Sequence, residues 1–176
     1  GKLTIGTSDP GYEPWIVDND PSTGEGFESA VAYAVAAELG FEADDVVWTP
    51  VSFEQIIAPG AKSFDFAINQ VSISDERRAN LDLTGSYYDT AQAVVALEGN
   101  PAASATTISG LSGLRIGAMV GTTSLTVATD AIKPTTDVAV FNDNDQAKQA
   151  LVAGLVDAIV VDLPTALYIT AAELDG

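Results

Sequence analysis

The chain reads as an α/β protein of two lobes with mostly parallel sheets. Three observations predict this. Apolar runs of strand length alternate with helix-period segments, as in Leu3–Thr7, Phe27–Leu39 and Val46–Trp48, the pattern of parallel strands joined by crossover helices. That series gives way to a stretch rich in small and polar residues over 98–110, and a second α/β series starts at Leu114. The length of 176 residues suits one large domain or two small lobes. The lobes are expected at 1–95 and 96–176, with no sequence repeat strong enough to mark a duplication.

Each element has its own local reason. Leu3-Thr4-Ile5-Gly6-Thr7 alternates and predicts a first strand. Residues 8–26 are rich in Gly, Pro, Asp and Asn and carry Tyr12 and Trp15, which predicts a long functional loop. Phe27, Ala30, Val31, Ala34, Val35 and Leu39 share a helical face, and Gly40 stops the helix. Val46–Trp48 is a second strand, Phe53–Ala58 a short helix cut by Pro59-Gly60, and Phe64–Gln70 a third strand. Ser74–Asn80 is another short helix, and Thr90–Leu97 a strand long enough to leave one sheet for another. In the second series, Leu114–Met119 is a strand and Val120-Gly121-Thr122-Thr123 turns into a helix reaching about Ile132. Val138–Phe141 is a strand. Asp143 caps a helix with Ala147, Ala150, Leu151 and Leu155 on one face. Ala158–Val161 is a buried strand, and Pro164 opens a last helix.

Composition excludes several functions. An apolar fraction of 47% supports a core rather than disorder. A net charge of −18 repels a phosphate backbone, so no nucleic acid is expected. With neither Cys nor His, thiol catalysis, histidine triads and Cys/His zinc sites are ruled out, and no cofactor is expected. No apolar run reaches the roughly 18 residues of a membrane helix. The start at Gly1 rather than Met is read as a chain whose signal peptide has been removed.

In this acidic chain an anionic ligand needs a local positive site. The stretch Asn69–Arg78 holds two of the three arginines. Ser72 and Ser74 follow the apolar run Phe66–Ile68, and Arg77 lies one turn into a short helix. Backbone N–H groups, hydroxyls and the planar guanidinium fork together suit a carboxylate. The same residues also read as a capped helix start, with Ser74 as N-cap and Arg77 and Arg78 on a solvated face.

Five pieces, in order, resemble the family 3 solute-binding proteins of bacterial ABC importers for polar amino acids, which have the type II periplasmic-binding fold. They are Gly6-Thr7 with Tyr12, Pro14 and Trp15; Gly26-Phe27-Glu28; Val71–Arg77; Gly121-Thr122-Thr123; and Leu155–Asp162. The resemblance implies two lobes joined by hinge strands that close on an amino acid. It implies Arg77 on the α-carboxylate, Ser72 on the carboxylate or ammonium, Thr122 as a further carboxylate donor, and Asp162 on the ammonium. Tyr12 and Phe53 occupy stacking positions beside the ligand side chain, with Trp15 close by, and the Gln70 carbonyl accepts from the ammonium. It also implies an import permease as partner, no catalysis, and a periplasmic or extracellular location, with a lipid anchor on the precursor.

Other readings stay open at this point. Asp162 before Leu163-Pro164, and Thr122, both suit N-caps. Tyr12, Trp15 and Phe53 suit a core or rim. Asp18–Gly24 hints at a calcium loop, but its Gly is one place late, which favours a polar turn. The chain departs from the family at Ser8, where an acid is common, and at Asn69 and Gln70, where small residues are common; amides there narrow the pocket and offer hydrogen bonds. Relatives continue past the equivalent of Gly176, so uncovered first-lobe surface is expected to favour a dimer. An enzyme of dehydratase or lyase type would need a general acid or base, for which Asp9 and Asp162 are the candidates. The sensing domain of a larger receptor is the other alternative.

Overall fold

The structure, a computed structural model, describes residues 1–174. It divides into two compact units, one of Gly1–Tyr87 and one starting at Tyr88. In the first, β1 (Leu3–Thr7) lies between β2 (Val46–Pro50) and β3 (Phe66–Ala67), and all three run parallel. β1 takes the centre because its side chains are apolar enough to be buried there: Leu3 and Ile5 pack with Ala32, Ala36 and Ile68.

β3 is shorter than the sequence suggests. Asp65 caps the ladder on one side, its carboxylate accepting from Thr4 N–H at 2.8 Å. On the other side Gln70 turns left-handed, with φ at 46°. A side chain with a Cβ pays for that conformation, so something must hold it there.

Helix α1 (Phe27–Glu38) packs on a face other than the expected one. Its buried residues are Glu28, Ser29, Ala32 and Ala36, while Phe27, Val35 and Leu39 are exposed. Apolar residues occur all round this helix, so periodicity does not single out a face. Exposing those three forgoes roughly 1–2 kcal/mol each. The small side chains instead let the helix lie close to the sheet and bring Glu28 under it. The entry to α1 depends on Gly26, whose φ is 95° and where a Cβ would sit 2.3 Å from Trp15 O. That close approach lets Glu28 N–H donate to Trp15 O at 3.1 Å. Helix α2 (Phe53–Ile57) starts with a reciprocal capping box between Ser52 and Gln55. Helix α3 (Asp75–Arg78) is a single turn capped by Ser74.

The second unit has a four-stranded sheet in the order β4-β7-β5-β6. These are β4 (Gln92–Val95), β5 (Ile116–Met119), β6 (Ala139–Phe141) and β7 (Ala158–Asp162). β4 runs antiparallel to β7, and the other pairs are parallel. β7 is buried on both faces: Ile159 and Val161 meet one cluster, with Leu151 and Ile169, and Ala158 and Val160 meet another, with Ile116 and Ala128. This explains its unbroken apolar run.

Helix α4 (Thr123–Val127) continues into a wider π-type turn, Ala128–Ile132, that ends at left-handed Lys133. Helix α5 (Asn144–Val152) is capped by Asp143, as expected, and α6 (Leu163–Tyr168) begins with Pro164 in its first turn. Leu155 does not join the α5 face. Gly154, at φ 70°, turns the chain away first, and Leu155 is 67% exposed. Arg115 clamps the start of β7: its guanidinium meets Asp157 Oδ1 at 2.7 Å and Oδ2 at 3.1 Å. These bonds hold the Asp157 carboxyl at about 2, so the clamp is intact above the usual carboxylate range and opens only as pH falls toward that value.

Asp18–Gly24 forms a hydrogen-bonded polar turn, with Asp20 accepting from Ser22 N–H and Oγ–H. Among the described residues no helix is long and apolar enough to cross a membrane.

Gly26 and Gly40 separate close approach from backbone strain alone, since nothing lies within 4 Å of a Cβ added at Gly40. Gly40→Ala is expected to cost about 1 kcal/mol. Gly26→Ala is expected to cost roughly 3 kcal/mol or more. Urea denaturation of both variants checks the difference.

Candidate functional site

In the first unit the candidate residues gather between the end of β1 and α3. The segment 69–74 leaves β3 extended after Gln70, and Ser74 Oγ accepts from Arg77 N–H at 3.2 Å to start α3. That turn swings the half-buried Arg77 back over its own loop, where Nη1–H donates to Ser72 O at 2.7 Å. The guanidinium carbon stands 5.4 Å from the centre of the Phe53 ring. Phe53 is 8% exposed, so a buried aromatic face backs the cation. Ser74 is the cap, and the capped turn aims Arg77 at Ser72 O rather than at solvent.

Asn69 is buried, and its amide donates to Ser8 Oγ at 2.5 Å, tying the loop to the end of β1. The Gln70 side chain turns the other way. Its backbone N–H and its Nε2–H donate to the two Glu28 oxygens, each at 2.6 Å. Glu28 has no exposed surface. It also accepts from the hydroxyl of Tyr87, the last residue of the unit. Removal of that hydroxyl from water, and then the neighbouring Glu28 charge, raise the Tyr87 pKa above its usual range. The Tyr87 ring stacks on Phe27, with ring centres 6.2 Å apart.

The aromatics of the 8–26 loop divide. Tyr12 is half-buried, and its carbonyl accepts from Trp15 and Ile16 N–H, both at 2.9 Å. Trp15 is 4% exposed and edge-on to Phe27 at 5.9 Å. Its indole is packed into the first unit because the close Gly26 contact pins its backbone to the start of α1.

In the second unit the half-buried Asp162 ends β7 and occupies the N-cap position of α6, yet its side chain makes no capping bond. Oδ1 instead accepts from Gln92 Nε2–H at 2.5 Å. Thr122 does cap α4: Oγ1 accepts from Leu125 N–H at 3.1 Å and donates to Met119 O at 2.7 Å. Both bonds of this hydroxyl serve the turn into α4.

Both clusters lie inside a recognisable sequence family. The profile of the bacterial extracellular solute-binding proteins, family 3, matches residues 3–163. The chain belongs to that family. A probable histidine-binding protein of Campylobacter jejuni is 34% identical over 166 residues, 93% of this chain and 61% of the relative. The L-cystine-binding protein TcyJ of Escherichia coli is 30% identical over 168 residues, 95% of this chain and 61% of the relative. An ancestral arginine-binding protein bound to glutamine has a similar structure, with a TM-score of 0.81 and 29% identity over 98% of this chain and 75% of that one. The fold is thus the α/β fold of the type II amino acid-binding proteins. The chain spans about three fifths of the length of the two curated relatives.

Three residues of this family 3 protein escape the sequence reading as site elements: Glu28, Tyr87 and Gln92. Glu28 draws notice only through the Gly26-Phe27-Glu28 motif, although an acid opening an otherwise apolar helix is a signal of a buried, partnered carboxylate. Gln92 is the lone polar residue in Ala91–Leu97, and a polar side chain in such a run needs a partner.

Truncating Glu28 leaves buried donors without acceptors. Glu28→Ala is expected to cost ~3 kcal/mol or more. Glu28→Gln keeps Oε1 for the Gln70 N–H and the Tyr87 hydroxyl, and the Gln70 amide turns over to meet the new donor, so about 1 kcal/mol is expected. Urea denaturation measures both, and equal losses would contradict this arrangement.

Proposed function

We propose that this family 3 protein captures an amino acid outside the cytoplasm and passes it to the permease of an ABC importer, without catalysis. Arg77 takes the α-carboxylate with Ser72 beside it, Asp162 takes the α-ammonium, and the two units close on the zwitterion. Phe53 and Tyr12 flank the ligand, and the side chain bound is polar or charged.

The seat of Arg77 carries this reading. A guanidinium backed by a buried ring and tied to the loop carbonyl of Ser72 is held in one place, and little of its freedom remains to be lost when it pairs with a carboxylate. The net charge of −18 makes such a local cation necessary for any ligand with a carboxylate. Asp162 supports the other half, since its carboxylate is withheld from the helix cap. A zwitterion leaving water needs both charges matched, because an unpaired buried charge costs several kcal/mol. The relatives' names point to nitrogen-bearing or polar amino acids: histidine and cystine for two of them, and arginine for the ancestral protein.

A thermal-shift screen against the twenty amino acids and L-cystine tests the proposal. A ligand present at 100 times its Kd stabilises by about 2.7 kcal/mol, so at least one compound is expected to raise the melting temperature clearly. Arg77→Ala is expected to lower affinity for that compound by roughly 10²–10³-fold. An undiminished shift in Arg77→Ala would refute the assignment.

A further inference from the structure

We infer that Gln92 is the positioning residue of Asp162: its amide, held between Ser124 and Asp162, donates to Asp162 Oδ1 and sets the direction from which the carboxylate meets an ammonium. This rests on the reading of Asp162 given above.

Gln92 and Asp162 face each other directly in the antiparallel ladder of β4 and β7, where opposed Cβ atoms lie about 5 Å apart. The ladder holds beyond them, because Leu163 N–H donates to Ala91 O at 2.8 Å. The Gln92 side chain therefore starts from a fixed point. Its Nε2–H reaches Asp162 Oδ1 at 2.5 Å and lies 3.4 Å from Thr123 Oγ1.

A glutamine amide has two ends, and turning it over would place its oxygen against the carboxylate. The carboxylate itself prevents this, because it only accepts. With Nε2 donating to β7, Oε1 faces α4 and accepts from the Ser124 hydroxyl, 6% exposed, at 2.5 Å. The chain of bonds Ser124 to Gln92 to Asp162 thus joins the start of α4 to the end of β7. It also accounts for the absence of a capping bond from Asp162: the carboxylate is drawn toward β4 and away from the N–H groups of α6. Gln92 acts through Asp162, and through nothing else, in the binding of an amino acid.

Two substitutions separate this role from simple packing. Gln92→Met keeps the volume and loses both bonds. Gln92→Glu keeps the acceptor for Ser124 and loses the donor toward Asp162. Each is made alone and with Asp162→Asn, and affinity for L-arginine, L-histidine and L-cystine is measured by calorimetry at pH 8, with melting temperatures recorded beside it. Both substitutions are expected to weaken binding about tenfold or more, the usual weight of a hydrogen bond to a charged group. In the Asp162→Asn background neither is expected to weaken it further by more than about twofold.

Binding unchanged in both single variants would overturn the inference. So would an equal loss in the presence and absence of Asp162→Asn, because Gln92 would then act elsewhere. A lower melting temperature with intact affinity would show a purely structural residue and overturn it as well. If the unmodified chain binds none of the three, the reading of Asp162 falls and takes the inference with it; if the chain binds and only the Gln92 results fail, that reading survives.

Discussion

A carboxylate sealed from water has to be matched, and the first unit is arranged around that demand at Glu28. Three donors meet it: two from Gln70 and one from Tyr87. The cost of leaving such a group unpaired exceeds the strain of one left-handed residue, so Gln70 keeps its positive φ and β3 stops after two residues. The break in β3 releases the loop that carries Ser72 and brings Arg77 over Phe53. Gly26 belongs to the same chain of cause, because only a residue without a Cβ lets α1 start against Trp15 and deliver Glu28 to its donors.

The second unit uses a different device for a similar end. There the polar groups sit at strand and helix ends, and one amide, that of Gln92, distributes the hydrogen bonds among them. Thr122 is absorbed by its cap, whereas Asp162 at an equivalent helix-start position is not. The difference lies at Asp162, whose carboxylate meets an amide opposite it in the β4–β7 ladder, whereas the Thr122 hydroxyl donates to Met119 O at the end of its own strand. Two residues that look alike as caps in the sequence thereby take different parts.

Much of this is legible in the amino-acid order alone. Strand and helix order, the Asp143 cap, Pro164 in the first turn of α6 and the family resemblance all follow from short-range patterns, where local chemistry decides. The buried face of α1 does not. Its apolar residues surround the helix, and the choice of Glu28, Ala32 and Ala36 over Val35 and Leu39 is made by tertiary approach. The burial of Trp15 is likewise set by tertiary approach, through its contact with Gly26. Glu28, Tyr87 and Gln92 act through partners 32 to 70 residues away, a range that periodicity and spacing do not reach.

We propose that Arg77 and Asp162 divide a zwitterion between them. Calorimetric comparison of an amino acid with its decarboxylated and deaminated analogues tests this most directly; for arginine these are agmatine and the desamino acid. The account predicts that each analogue binds roughly 100-fold more weakly than the amino acid. It predicts that Arg77→Ala abolishes the preference for arginine over agmatine, and that Asp162→Asn abolishes the preference for arginine over the desamino acid. Analogues bound within a few-fold of the amino acid, or preferences that survive these substitutions, would contradict it.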